Sequence, residues 1–328
     1  MLAASVIVDS LRSGAAGSAV RPGAVRLTTL LGVENEVQHA RVGDVEIAYE
    51  TFGSAEDPPL LLVMGLATQM LGWPDEFCSE LAGRGLYVIR FDNRDIGLST
   101  HLDQAGAPDV LQVMAGAAGA PYALADMADD TAGLLDALGL DSAHLVGASM
   151  GGMIAQLVAI RHPEKVRSLT SIMSTTGDRA VGAPAEAAMG ALLAPPATDR
   201  EGAIQRTVDT YRVIGSPGYA FDEAAVRERA GLSFDRRYDP AGVARQLAAI
   251  LTTHDRTEHL GEIRVPTLVV HGAQDQLVDV SGGRATAAAI PGAELVVVEG
   301  MGHDLPREVW PQLIDRIGAL VARVERAR

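Results

Sequence analysis

Several things are scarce in this sequence, and each scarcity removes a class of protein. There is one cysteine, Cys78, in 328 residues, which excludes an internal disulfide and any cysteine-based metal site. Lysine is equally rare. Lys165 is the only one among 27 basic residues, which face 42 acidic residues for a net charge of −15. An acidic balance of that size repels phosphate backbones, so no nucleic-acid partner is expected. No glycine directly precedes Lys165, which also removes the phosphate-cradling GxxxxGK[ST] loop. No stretch reaches the roughly 18 uninterrupted apolar residues of a membrane span. Met1 to Val8 is apolar, but Asp9 breaks the run and no basic residue stands before it. A secretory signal has a positive start, so the chain is expected in the cytoplasm. What remains is globular composition, 48% hydrophobic and 21% charged, in a chain long enough to fold without cross-links.

Residues 1–35 include SGAAGSAVRPG, a small and flexible stretch that reads as an N-terminal extension. From Glu36 the pattern is that of strands. Val37, His39 and Arg41 alternate with Glu36, Gln38 and Ala40, Gly43-Asp44 supplies a hairpin turn, and Val45 to Phe52 returns. Six apolar runs follow: Leu60 to Met64, Tyr87 to Phe91, His144 to Ala148, Leu169 to Met173, Thr267 to His271 and Leu295 to Val298. Runs without alternation indicate strands buried on both faces, as in a parallel sheet between helix layers. Helices fill the gaps: Leu124, Met127, Thr131, Leu134, Leu135 and Leu138 share one face, closed by Gly139. Met150 to Arg161 is a second helix, and Leu313, Ile317, Leu320 and Val324 mark a third. This alternation predicts an α/β fold with a mostly parallel eight-stranded sheet. Between Met173 and Thr267 no strand is evident, and Pro184, Pro195, Pro196, Pro217 and Pro240 divide the stretch. A structureless loop of that length is improbable. A helical cap at 177–262 is expected, inserted into a core of 36–176 and 263–328.

The sharpest chemical signal is Gly147-Ala148-Ser149-Met150-Gly151, a G-x-S-x-G where a strand ends and a helix begins. That context fits a nucleophile elbow, a turn too tight for side chains at the glycine positions. It lifts the hydroxyl of Ser149 clear of the sheet and aims a helix N-terminus at the reacting centre. A serine hydroxyl needs a general base. Of eight histidines, His303 in Gly300-Met301-Gly302-His303-Asp304 follows the last strand, the slot expected from the chain order Ser, Asp, His. His162 and His271 read as structural. His254 and His259 are five apart, wrong for an i, i+4 metal pair, and no metal site is expected. The acid that orients the base falls to Asp275, just after the strand ending at His271. Asp279 is a weaker candidate, Asp178 past the sixth strand is an alternative, and Asp304 lies too close in sequence to face His303. An oxyanion site needs two N–H donors. Met150 supplies one, and Leu66 in Gly65-Leu66-Ala67 is the expected other.

Together with these residues, Leu62-Val63-Met64-Gly65, Leu71-Gly72-Trp73-Pro74, Arg90-Phe91-Asp92-Asn93-Arg94-Asp95-Ile96-Gly97-Leu98-Ser99 and Gly300-Met301-Gly302-His303 resemble the α/β-hydrolase superfamily. Within it the chain is most similar to actinobacterial esterases of the aclacinomycin methylesterase type, over about residues 36–325. The resemblance implies a Ser149, Asp275, His303 triad, with Leu66 and Met150 as the oxyanion pair. The insertion matches that type in position only, and no cofactor is expected. Leu66 stands where that type often has a second glycine, which narrows the acyl pocket. The Asp92-Asn93-Arg94 stretch is expected to pack a loop against the site, and Met173, Met189, Leu192 and Leu193 to wall an apolar pocket. The function expected is hydrolysis of a small-molecule carboxylic ester through an acyl-enzyme. A same-triad lactonase, cofactor-free perhydrolase or C–C bond hydrolase is the alternative, and a silent hydrolase-like binding protein a further one. Haloalkane and epoxide hydrolases have an aspartate in place of Ser149, and no G-x-G-x-x-G follows a strand as a dinucleotide enzyme requires. The oligomeric state is left open, a homodimer included.

Overall fold

The computed structural model describes residues 36–328; the expected extension, residues 1–35, lies outside the described residues. Eight strands form one sheet: β1 (Gln38–Val42), β2 (Val45–Phe52), β3 (Pro59–Val63), β4 (Tyr87–Phe91), β5 (Ala143–Ala148), β6 (Val166–Ile172), β7 (Thr267–Gly272) and β8 (Glu294–Val298). Their order is β1-β2-β4-β3-β5-β6-β7-β8. β2 runs antiparallel to both neighbours, and the remaining pairs are parallel. The β1–β2 hairpin turns on Gly43, whose φ of 54° suits glycine. In β1 it is Ala40 and Val42 that face the core, while His39 and Arg41 are exposed.

The inner strands explain their own sequence. Leu61 and Val63 of β3 join an apolar cluster built on α3 (Leu124–Ala137) and α4 (Met150–Arg161), while Leu60 and Leu62 join one built on α1 (Asp75–Ala82) and α11 (Trp310–Glu325). Both faces are covered, so both must be apolar. Strand β6 starts at Val166 rather than the expected Leu169. Its first residues escape a search for apolar runs because Arg167 and Ser168 interrupt the pattern, although Ser168 is buried. Ser168 Oγ meets His144 Nδ1 at 2.7 Å, and Ser171 Oγ accepts from Gln156 Nε2 at 3.3 Å.

A short α2 (Val110–Met114) precedes α3, and α10 (Val280–Ala289) links β7 to β8. Between β6 and β7 lie α5 (Glu186–Leu193), α6 (Arg200–Ile214), α7 (Glu223–Arg236), α8 (Pro240–Thr252) and α9 (Thr257–Leu260). Aspartates set three of these starts: Asp199, Asp222 and Asp239 each accept a backbone N–H from the first turn of α6, α7 and α8. Helices α6 and α7, at 15 and 14 residues, fill the intervals between Pro196, Pro217 and Pro240. Leu260 of α9 packs into the cluster beneath α3 and α4.

The loop after β4 anchors this helical segment. Asp95 and Arg245 of α8, both fully buried, pair through two bonds of 2.8 and 2.9 Å. Asp92, also fully buried, accepts from Met70 N at 2.7 Å, Leu98 N at 2.9 Å and Arg236 Nη2 of α7 at 2.9 Å. Replacing Asp92 by Ala strips three donors of their acceptor and leaves a guanidinium without its counter-ion. Such a loss costs about 3–5 kcal/mol, so calorimetry should show Tm lowered by roughly 10 °C. Adding Arg236→Met should recover part of the loss, because the orphaned charge is then gone; no recovery would mean that the pair does not anchor α7.

Candidate active site

Ser149 occupies the turn between β5 and α4 with φ 56° and ψ −122°, a conformation that costs a non-glycine residue about 1–3 kcal/mol. The surrounding backbone enforces it. A Cβ on Gly147 would stand 2.2 Å from Gly151 O, and one on Gly151 would stand 2.1 Å from Val63 O. Only glycine allows α4 to approach β3 so closely. Ser149 N donates to Ile172 O at 2.9 Å, tying the turn to β6.

The raised hydroxyl meets a histidine from the far end of the chain. Ser149 Oγ lies 2.9 Å from His303 Nε2, and His303 Nδ1 lies 2.7 Å from Asp275 Oδ2. Asp275 Oδ1 accepts from Leu277 N and Val278 N, each at 2.9 Å, while His271 Nε2 lies 3.5 Å from Oδ2. Burial pushes the Asp275 carboxyl up, but attraction to His303 and hydrogen bonds from His271, His303 and Val278 N outweigh it. The carboxyl ends well below the usual range. An ionised Asp275 fixes the proton of His303 on Nδ1, and the Nε2 lone pair then faces the serine O–H.

The loop of His303 is clasped by the last residue of α6 and the residues that follow it. His303 N donates to Ile214 O at 2.7 Å, Gly302 N to Ser216 Oγ at 2.8 Å, and Gly218 N to Gly300 O at 2.9 Å. A Cβ on Gly302 would stand 2.3 Å from Gly215 O, so glycine is required for the two backbones to touch. The Ser216 hydroxyl donates to Asp304, which makes no hydrogen bond to His303 among the described residues.

On the other side, Gly65 packs against Ser149, with a Cβ there 3.0 Å from Ser149 Cβ. Ala67 N donates to Gln246 Oε1 at 3.2 Å. The N–H groups of Leu66 and Met150 have no acceptor among the described residues. Asp92, Asn93 and Arg94 do pack a loop here. Asn93 Nδ2 donates to Met64 O at 3.0 Å, and Arg94 forks onto Asp130 at 2.6 and 2.7 Å.

The competing residues have other partners. Asp178 accepts from Ala180 N at 2.9 Å, and Asp279 caps α10 through Ser281 N at 2.9 Å. His162 is bonded to Asp129 and His271 to Val278 O, each at 2.7 Å, while His254 and His259 are exposed. Cys78 is fully buried, and burial pushes its thiol up to about 12, which leaves it no thiolate at neutral pH. Asp95, His101 and Asp239 bring ligand atoms within 4.8 Å of one another, but Arg245 already supplies their cation, donating to both carboxylates. Met173 is buried in the core cluster under α1 and α11, whereas Met189, Leu192 and Leu193 are half-buried on α5. Sequence reasoning did not single out Ser216, Arg236 or Gln246. None belongs to a recognisable motif, and Arg236 and Gln246 stand beside the polar residues Arg237 and Arg245.

Residues 58–306 match the model of the alpha/beta hydrolase fold family. The chain is an α/β hydrolase. A rhodomycin D methylesterase of Streptomyces sp. (strain C5) is 32% identical over 302 residues, covering 84% of this chain and 95% of its own. The rhodomycin D methylesterase of Streptomyces peucetius is 30% identical over 297 residues, with coverage of 84% and 95%. The crystal structure of an enol-lactonase from Burkholderia xenovorans matches with a TM-score of 0.68 at 23% identity, covering 87% of this chain and 100% of that one. That likeness is one of fold. Among the described residues of this α/β hydrolase, no helix is long and apolar enough to cross a membrane.

The Asp275 carboxyl titrates lower in the folded chain than in the unfolded one, where the value is near ~3.9. Its stabilisation is therefore complete above pH ~4 and is lost as pH falls toward the depressed folded value. Urea melts should show Asp275→Asn clearly destabilised at pH 7, with the gap to wild type narrowing below pH ~4. A gap that is constant with pH would mean the carboxylate is not held ionised.

Proposed function

We propose that this α/β hydrolase is a serine carboxylesterase that works through an acyl-enzyme. Ser149 Oγ attacks the ester carbonyl, and its proton passes to His303 Nε2. Asp275 stabilises the imidazolium so formed, and the N–H groups of Leu66 and Met150 receive the developing oxyanion. The imidazolium returns its proton to the leaving alcohol. Water, deprotonated by the same base, then releases the acid. The observation that supports this most directly is the continuous path Ser149 Oγ–His303–Asp275, made of two hydrogen bonds of 2.9 and 2.7 Å. The methylesterase relatives favour a small alcohol as leaving group. In this reading 36–176 with 263–328 is the catalytic core and 177–262 the cap over its carboxyl edge.

The test combines fluorophosphonate labelling with turnover of methyl and p-nitrophenyl esters of graded acyl length. Wild type should label at Ser149 and hydrolyse esters. Ser149→Ala should label nowhere and lose about 10⁴- to 10⁶-fold in kcat; a variant retaining a tenth of the activity would rule out Ser149 as nucleophile. Labelling without ester turnover would move the reaction to lactone, peracid or C–C substrates.

The acid is tested separately. Asp275→Asn presents an amide that favours the wrong imidazole tautomer, which should cost about 10⁴-fold at pH 7. Asp178→Asn should stay within a few-fold of wild type. The reverse pattern would move the acid to Asp178.

A further inference from the structure

The loop Met64–Met70 carries Leu66, and its supports are unevenly placed. At one end Asn93 Nδ2 holds Met64 O at 3.0 Å. At the other, Asp92 Oδ1 holds Met70 N at 2.7 Å, while Gln69 Nε2 reaches Ser233 O at 2.7 Å and Arg237 O at 3.0 Å. In the middle the Thr68 hydroxyl closes a local turn onto Leu66 O at 3.0 Å. The only side chain from elsewhere that bonds to the backbone of residues 65–68, among the described residues, is that of Gln246.

Gln246 is fully buried on α8. Its Oε1 accepts from Ala67 N at 3.2 Å and its Nε2 donates to Arg94 O at 2.8 Å, so the amide has one satisfied orientation. Ala67 itself adopts φ 59°, a left-handed conformation that needs support from outside in a residue other than glycine. The glutamine supplies that support and takes up the Ala67 N–H, while the neighbouring Leu66 N–H has no acceptor among the described residues. Arg245, next to it in sequence, is committed to Asp95 and Asp239 and does not compete.

We infer that Gln246 is a positioning residue for the oxyanion loop, acting from the inserted helices through the Ala67 N–H to hold the Leu66 N–H in place. This rests on the serine-esterase reading. The consequence is specific: loss of Gln246 should weaken binding of the tetrahedral state and leave ground-state ester binding nearly unchanged.

Two variants test it, after thermal melts establish that each is folded at the assay temperature. Gln246→Met removes both hydrogen bonds at similar volume. Its kcat should fall about 10- to 100-fold, less than the ~10²–10³ that removal of a whole oxyanion donor costs, with KM within about two-fold. The Ki of an alkylboronic acid should rise by the same factor as kcat/KM falls. The serine oxygen bonds to boron, His303 takes the proton, and the tetrahedral boronate places an oxygen in the oxyanion site. In Gln246→Glu the neutral acid reproduces both bonds, whereas the carboxylate loses the donor to Arg94 O and sets a negative charge beside the oxyanion. The activity of Gln246→Glu relative to wild type should therefore fall as pH rises, while that of Gln246→Met stays flat. If Gln246→Met does not fold, the slope of the Gln246→Glu ratio decides. A loss confined to KM, an unchanged boronate Ki, or a flat Gln246→Glu ratio would overturn the inference. Absence of labelling or turnover in wild type would instead overturn the serine-esterase reading, so the two failures are distinguishable.

Discussion

The site depends on one close backbone approach, that of Gly151 to the end of β3. With a Cβ there 2.1 Å from Val63 O, any other residue would force α4 away from the strand. The contact fixes where the N-terminus of α4 begins, and so where Met150 N–H points. The loop that leaves β3 through Met64 then brings Gly65 against Ser149, where a Cβ would stand 3.0 Å from Ser149 Cβ. Strain at Ser149 is the local consequence. It persists because the turn is held on both sides, by the Ser149 N bond to Ile172 O and by the fully buried Met150 and Ile154 of α4.

The helices between β6 and β7 are bound into this frame. They reach it at separate points: Ile214 O on His303 N, Ser216 on Gly302 N and Asp304, Arg236 on Asp92, Arg245 on Asp95, and Gln246 on Ala67 N. Two of these loops carry the proposed base and a proposed oxyanion donor. A segment anchored in this way helps to set backbone positions around the candidate site. Any movement of α6 or α8 would be felt at His303 or Leu66.

The sheet and the glycine framework of the candidate site were legible from the sequence because their physics constrains it locally. Gly147 and Gly151 exist where a Cβ would collide with backbone, and strands buried on both faces must be apolar throughout. The glycines around His303 likewise reflect the clasp by Gly215 and Gly218. What was illegible follows from the same logic. The start of β6 is hidden because Arg167 and Ser168 carry polar groups that find partners in Ser142 and His144, which no apolar pattern reveals. Gln246 and Arg236 were invisible because their partners lie more than a hundred residues away, on the loops after β3 and β4. A single amide or guanidinium in an Ala/Arg-rich helix leaves no periodic trace.

Buried Asp275 and half-buried Asp304 are the carboxylates nearest His303 in space and in sequence respectively, and their environments push them in opposite directions. Asp304 is raised, chiefly by burial, with Ser216 giving partial relief. Asp275 suffers a burial penalty too, but it collects the N–H groups of Leu277 and Val278 and the imidazoles of His271 and His303, and ends depressed. Donor count separates them, since a carboxylate is stabilised by each N–H aimed at it. Divergent shifts in neighbouring acids sort them into roles. Only Asp275 combines a firmly held negative charge with a 2.7 Å contact to Nδ1, so an imidazolium formed at His303 finds its counter-charge already in place and does not need the chain to rearrange.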